Sequence, residues 1–434
     1  MQQPAPSLRP SLKPVLKPVK GTRDLLPELA EKFRHIETTA GHIAHLYGFK
    51  EIRTPILEPA GLFLRSLGDT SDIVTKEMYR FTDHGGDDLV LRPEGTAGVA
   101  RAFMSEGLAQ HLPLKLFYSG PMFRRERPQR GRFRQFSQFG IELLGVEKPQ
   151  ADIEVLACGY RILRELGVLG SITLHINTIG DDTSRAQYRD ALVAYLSTRK
   201  AELSKDSLDR LERNPLRILD SKDSGDKLVI KDAPKLHDYL TEESKSFFET
   251  ILKSLETLKI PFVIDDRLVR GLDYYCHTVF EFTTTALGAQ SAVLAGGRYD
   301  GLISDLGGPK TPGVGWAFGA DRLAELLPEN SGTLTAPIAL VPLGAEAELY
   351  ATGLAEELRA QGIAIELGYS GNLAKRMKRA DKIGASHAII VGSDELAVGT
   401  VSLKTLATGE QTKLPIHELA NHIKNSITNR VNKT

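Results

Sequence analysis

The sequence predicts an α+β domain on a largely antiparallel sheet, split by a helical insertion and followed by a small α/β domain. Three observations carry this. Strand-like runs cluster around turns, with helical runs between clusters rather than in strict alternation. Residues 181–258 are rich in Lys, Asp, Glu, Ser and Leu in a helical pattern, with little β signal. Beyond a turn-rich linker at 328–336, strand and helix alternate.

The elements follow in order. Residues 1–19 hold five prolines and no acid, which predicts an extended tail; the prolines would break the amphipathic helix of a transit peptide. Leu29, Phe33, Ile36, Ile43, Leu46 and Tyr47 recur at helical spacing. Short β-like runs follow at Tyr79–Phe81, Leu89–Leu91, Leu116–Tyr118 and Phe139–Leu144. A helix is expected over Ile153–Leu166, then strands at Ile172–Ile176, Phe262–Ile264, Thr278–Phe282 and Ala292–Leu294. The 181–258 segment reads as an insertion into the sheet, or as an ordinary helical face of the same domain. After the linker come strand-like Ile338–Val341, helical Ala345–Gln361, strand-like Ile363–Leu367, helical Leu373–Ile383 and strand-like His387–Val391. The division is therefore a tail at 1–19, a domain at 20–328 and a second domain at 336–428.

Composition excludes several classes. The chain has 434 residues, 41% hydrophobic and 25% charged, the balance of a globular protein. Lys+Arg and Asp+Glu are 55 each, so a polyanion site must come from local clusters. Two cysteines, Cys158 and Cys276, make neither a disulfide framework nor a zinc cluster and suit a reducing compartment. No apolar run is long enough for a membrane helix.

The densest local signal is Lys115–Arg134, with Lys115, Arg124, Arg125, Arg127, Arg130, Arg132 and Arg134 against one acid, Glu126. Pro128 and Gly131 place a hairpin loop between two strands. Arginine forks suit phosphates, and Phe133 and Phe136 offer faces for a stacked base. Beyond the loop, Gln138, Gly140 and Glu142 share one strand face, putting an amide beside a carboxylate that burial would make costly without a partner. In LRPEGTAG at 91–98, Glu94 and Thr96 could grip an ammonium group, or Thr96 could cap a helix. Leu268–Phe282 carries Arg270 and Asp273 around a glycine, then two tyrosines. GGRYDG at 296–301 is a glycine-rich turn, and GVGWAFGADR at 313–322 allows close backbone approach before Arg322 opens a helix. The basic run at Asn372–Lys382 is a solvated face or a nucleic-acid contact.

Together these segments resemble the histidyl-tRNA synthetases, of the class II aminoacyl-tRNA synthetases, from about Lys20 to about Lys424. KGTRDLLP at 20–27 looks like the family's opening. GFKEIRTPILEP at 48–59 is similar to class II motif 1, ending at Pro59 or Pro55; FRRERPQRGRFRQF at 123–136 resembles motif 2 and GVGWAFGADRL at 313–323 motif 3. LVRGLDYYCHTVFEF at 268–282 and AGGRYDGL at 295–302 resemble segments specific to histidyl enzymes.

The resemblance implies a six-stranded antiparallel catalytic sheet with a helical insertion, a C-terminal anticodon-binding α/β domain, a homodimer and a cytoplasmic location. It implies L-histidine, ATP with Mg²⁺, and tRNA-His as partners. Glu94 and Thr96, with Gly95 between them, and Gln138 would hold the α-amino group of histidine; Glu142 and Tyr274 or Tyr275 would read the imidazole. Arg124 and Arg270 would contact the α-phosphate. Arg322 would hold the β/γ-phosphates or the adenine edge, and Phe136 would stack on adenine. The competing expectation is a histidine-binding regulatory paralogue of histidine biosynthesis that charges no tRNA.

Overall fold

A computed structural model describes residues 16–431 apart from 69–70, 128–130, 222, 270–273, 289–290, 330 and 333–335. The chain divides into two compact units, Met1–Gly332 and Thr333–Thr434.

The first unit is built on an eight-stranded sheet. In spatial order its strands are Lys50–Glu51, Leu114–Phe123, Gln135–Leu144, Gly313–Gly319, Ser291–Arg298, Cys276–Thr284, Ile172–Thr178 and Val263–Ile264. The six inner strands are mutually antiparallel; the two-residue edge strands pair in parallel. The implied six-stranded antiparallel sheet is thus present, with a short strand added at each edge. Gly313–Gly319 lies at its centre, where the sequence reading saw only a glycine-rich close approach.

One face of the sheet is dry. Phe117, Phe139, Trp316 and Phe318 stack with ring centroids 5.3–6.1 Å apart, beneath the helices Pro27–Leu46 and Gln150–Glu165. Stacked aromatics bury large apolar areas and fix register. The other face carries a second core, in which Tyr274, Tyr275, Tyr299 and Val279 pack in one cluster with Tyr188, Leu192 and Leu196 of the helix Asp182–Ser197. The described residues of 182–257 form helices, 3₁₀ turns and the loops between them, with no strand. A small sheet of Leu57–Pro59, Asp88–Leu91 and Tyr79–Thr82 completes the unit.

The second unit is a five-stranded mixed sheet, ordered Ile365–Leu367, Ile338–Leu343, His387–Gly392, Thr400–Thr405, Gln411–Pro415. Its first three strands are parallel and its last two antiparallel. The helix Leu373–Lys382 carries the second basic run, but not as one solvated face. Arg376 is buried and donates to the carbonyls of Gly371, Pro342 and Gly368 at 2.6–2.9 Å and to Glu348. Lys375, Lys378 and Lys382 stay exposed. Among the described residues no helix is long and apolar enough to cross a membrane.

Candidate active site

The basic loop joins two ten-residue strands, Leu114–Phe123 and Gln135–Leu144, paired from Leu114↔Leu144 to Phe123↔Gln135. Strand alternation puts Phe139, Ile141 and Leu143 into the dry core and turns Phe136, Gln138, Gly140 and Glu142 the other way.

Glu142 is 1% exposed. Its Oε1 accepts from the Thr96 hydroxyl at 2.8 Å, and its Oε2 accepts from the Tyr299 hydroxyl. Three glycines make room for this nest. A Cβ on Gly315 would lie 2.0 Å from Glu142 Oε2, one on Gly140 2.4 Å from the Tyr118 hydroxyl, and one on Gly95 2.2 Å from the Tyr118 ring. No larger residue fits at these positions without moving the carboxylate or the ring. Tyr274 and Tyr275 close the side, 4.6 Å apart, with Tyr274 edge-on to Tyr299 at 5.7 Å.

Burial pushes the Glu142 carboxyl up to about 8, against the opposing pull of the Tyr299 and Thr96 hydroxyls. The group is a buried acid in want of a hydrogen-bond donor or cation. A stability test follows. Between the unfolded-state value near 4.5 and about 8, the folded chain keeps a proton the unfolded chain has lost, so stability falls as pH rises through that window. Glu142→Gln removes this term. Its stability relative to the parent is expected to rise on the order of a few kcal/mol between about pH 5 and about pH 8, read by urea unfolding.

Glu94 stands between the strand Asp88–Leu91 and the helix Thr96–Ser105. Its carboxylate accepts from the backbone N–H groups of Thr96 and Ala97 at 2.6 and 2.8 Å, capping the helix, and burial raises its pKa. The cap is therefore Glu94, whereas Thr96 opens the helix and turns its hydroxyl to Glu142. The Gln138 side chain is buried and its Oε1 meets no hydrogen-bond donor.

Gln138 also lines a cavity of about 930 Å³. Arg124, Arg132 and Arg322 face the same space, as do Phe136 and Phe318. Arg124 is held by its Nε bond to the Pro93 carbonyl at 2.8 Å and lies 5.5 Å over the Phe136 ring. Arg132 meets Glu126 at 3.1 Å. Arg322, in the first turn of Ala320–Leu326, donates to the Ala292 carbonyl; burial and the neighbouring Arg132 disfavour its charge. Arg23, just before the helix Pro27–Leu46, pairs with Asp321 at 2.7 Å and stacks 3.9 Å over Phe133 at this rim.

The site thus sets a deep, neutral-leaning carboxyl nest on the same strand face as Gln138, which lines a cavity rimmed by Arg124 and Arg132 of the hairpin loop and Arg322 of the helix Ala320–Leu326. A histidyl-tRNA synthetase family profile matches residues 21–323, and an anticodon binding domain profile matches residues 338–426. The chain belongs to the histidyl-tRNA synthetase family. It is 58% identical over 393 residues to a histidine--tRNA ligase of Rhodospirillum rubrum, covering 91% of this chain and 95% of the relative. A histidine--tRNA ligase of Gluconacetobacter diazotrophicus is 50% identical, covering 92% and 96%. The crystal structure of apo Staphylococcus aureus histidyl-tRNA synthetase superposes with a TM-score of 0.79 at 36% identity, covering 94% of this chain and 99% of that one.

Of the residues the family resemblance singled out, Glu94, Gly95, Thr96, Gln138, Glu142, Tyr274 and Tyr275 gather around the nest, and Arg124, Phe136 and Arg322 around the cavity. Arg270 and Arg130 lie outside the described residues. Tyr118 and Tyr299 were missed. Both make the nest, and the signal for Tyr299 was its place inside GGRYDG.

Proposed function

We propose that this protein activates L-histidine with ATP and transfers it to the 3′ end of tRNA-His, as a cytoplasmic homodimer. The observation that carries the reading is the buried Glu142 nest on the same strand face as Gln138, which itself lines a cavity rimmed by arginines. A buried Glu142 flanked by Tyr299 and Thr96 rewards a ring that can donate a hydrogen bond, and rejects side chains that leave it unpaired. Gln138 Oε1, buried at the cavity wall with no donor, is a ready acceptor for an ammonium group.

The histidine carboxylate attacks the α-phosphorus of ATP. An oxygen–phosphorus bond forms, the bond to the bridging oxygen breaks, and its electron pair leaves with pyrophosphate. The 3′-terminal ribose hydroxyl of the tRNA then attacks the adenylate carbonyl and releases AMP. No protein nucleophile is required; the arginines position the reactants and offset charge on phosphate. Arg124 and Arg270 serve the α-phosphate, Arg322 the β/γ-phosphates, and Phe136 the adenine face. Arg270→Ala is expected to lower histidine-dependent pyrophosphate exchange about a hundredfold with the fold retained; near-parental exchange would overturn its role.

Among the described residues no three Asp, Glu, His or Cys side chains converge on a metal site, and Glu126 is engaged by Arg132. Mg²⁺ would enter with ATP, as the counter-ion of its phosphates. Ile56, Leu57 and Phe81 are 42–50% exposed beside the motif-1-like segment, a face a second copy would cover. Two free thiols, Cys158 and Cys276, accord with a reducing compartment. Relatives at 50–58% identity carry the ligase name, so the regulatory-paralogue alternative is not favoured. The deciding experiment is pyrophosphate exchange against all twenty amino acids. Exchange with histidine alone is expected; histidine binding without exchange would sink the proposal.

A further inference from the structure

The helical insertion supplies a wall of the same cavity. Ser204, Lys205, Arg210 and Arg217 face it from the insertion, across from the sheet that carries Arg124 and Arg322. Surface arginines on a mobile arm would mean little, but this wall is held in one arrangement. Asp226, without solvent exposure, accepts from the Ser204 N–H and hydroxyl at 2.8 Å each, the Ser207 hydroxyl at 2.6 Å and the Ser221 hydroxyl at 2.5 Å. Burial pushes this carboxyl up, yet the serine donors hold it below its ordinary range, so it is a charged hub near neutral pH. It ties the start of the helix Lys205–Arg213, the turn at Ser221 and the helix Ser224–Lys231 into one edge. Ser204 and Ser221 themselves line the cavity.

The two arginines on that edge are half-buried, and Arg210 Nη1 rests on the Arg217 carbonyl at 3.3 Å. Asp206 and Asp223 share the wall and limit its net charge. Recognition there falls to two planar forks, one of them tethered, rather than to bulk potential. On the facing wall, Arg322 sits with Arg132 and Arg124 close enough for each to disfavour its charge. Asp72, Glu77, Glu126 and Asp321 also line the space, so its acids and bases balance, and an anion there is held by local fork geometry rather than by net charge.

We propose that Arg210 and Arg217 of the helical insertion bind the β- and γ-phosphates of ATP from the side opposite the sheet. The inference rests on the ATP-dependent reading above. As the α-phosphorus passes to the histidine carboxylate, negative charge builds on the departing pyrophosphate. Forks that line the space before the reaction stabilise that charge with little reorganisation. Arg210 and Arg217 thereby join the insertion to the chemistry of the first step.

The test is histidine-dependent ATP–pyrophosphate exchange by the full chain, with Arg210→Ala, Arg217→Ala, the double variant and Arg217→Lys. Each alanine variant is expected to raise the KM for ATP and for pyrophosphate about tenfold. The KM for histidine and, in charging assays, for tRNA should stay at the parent values. Arg217→Lys should recover part of the loss, because charge returns without the fork; it also serves if the alanine variant fails to fold. Parental KM values for ATP in folded variants overturn the proposal. So does a joint rise in the histidine and ATP constants, which marks a merely structural role, or a rise for tRNA alone, which marks an RNA contact. If the parent protein itself shows no exchange, the ATP-dependent reading fails first.

Discussion

Glu142→Gln is expected to lower kcat/KM for histidine in pyrophosphate exchange by about a thousandfold. The magnitude comes from two losses. Once the raised carboxyl passes its proton to the bound imidazole, the two share a charge-assisted hydrogen bond; its loss is worth about 1.5–3 kcal/mol, and a buried polar group left mismatched costs about 1–3 kcal/mol more. Together they amount to about 4 kcal/mol, or three powers of ten. The glutamine is nearly isosteric and keeps an acceptor for Thr96, so the nest is not emptied. The KM for ATP should stay within about twofold, because the arginine rim is untouched. Because the variant's stability relative to the parent rises toward pH 8, urea unfolding and exchange measured there on the same samples separate lost activity from unfolding. Activity within about tenfold of the parent would remove Glu142 from the specificity role.

Much of this site was legible before any coordinates. Alternation along Gln135–Leu144 is a local property, so one face carrying Phe136, Gln138 and Glu142 could be read directly. The hairpin was legible because Pro128, Gly131 and a run of arginines interrupt two apolar stretches. The rest depends on register between strands far apart in the chain. Tyr118 meets Glu142 because Tyr118 opposes Gly140, and Gly315 opposes Glu142 on the other neighbour. No local pattern encodes that pairing. The glycines of GVGWAFG were legible as room for a close approach, but not that at Gly315 the approaching group is the Glu142 carboxylate, which a side chain there would strike. In the second unit, Thr400–Thr405 and Gln411–Pro415 were missed because the latter lies at the sheet edge, largely exposed and polar. Arg376 was misread for the opposite reason: a basic run looks solvated until the fold buries one member of it.

A second large effect is expected away from the cavity, at Arg298. Arg298 and Asp152 are both fully buried. The guanidinium pairs with Asp152, meets Asp300 at 3.1 Å and donates to the carbonyls of Val146 and Lys148 at 3.0 and 3.3 Å. It thus fastens the end of the strand Ser291–Arg298 to the start of the helix Gln150–Glu165. Removing one partner of such a pair leaves an uncompensated buried charge, which costs about 3–5 kcal/mol. Arg298→Ala is expected to lose stability in that range by urea unfolding. Asp152→Ala should lose less, because Asp300 and the two carbonyls still face the guanidinium. The double variant should be less damaged than the sum of the singles, since one change removes the charge the other strands. The chain then runs straight into Tyr299, whose N–H donates to the Gly313 carbonyl at 2.7 Å and whose hydroxyl holds Glu142. A folded Asp152→Ala protein should therefore show a raised KM for histidine with the KM for ATP unchanged. If both constants stay at parental values, Arg298 and Asp152 serve stability alone and do not set the position of Tyr299.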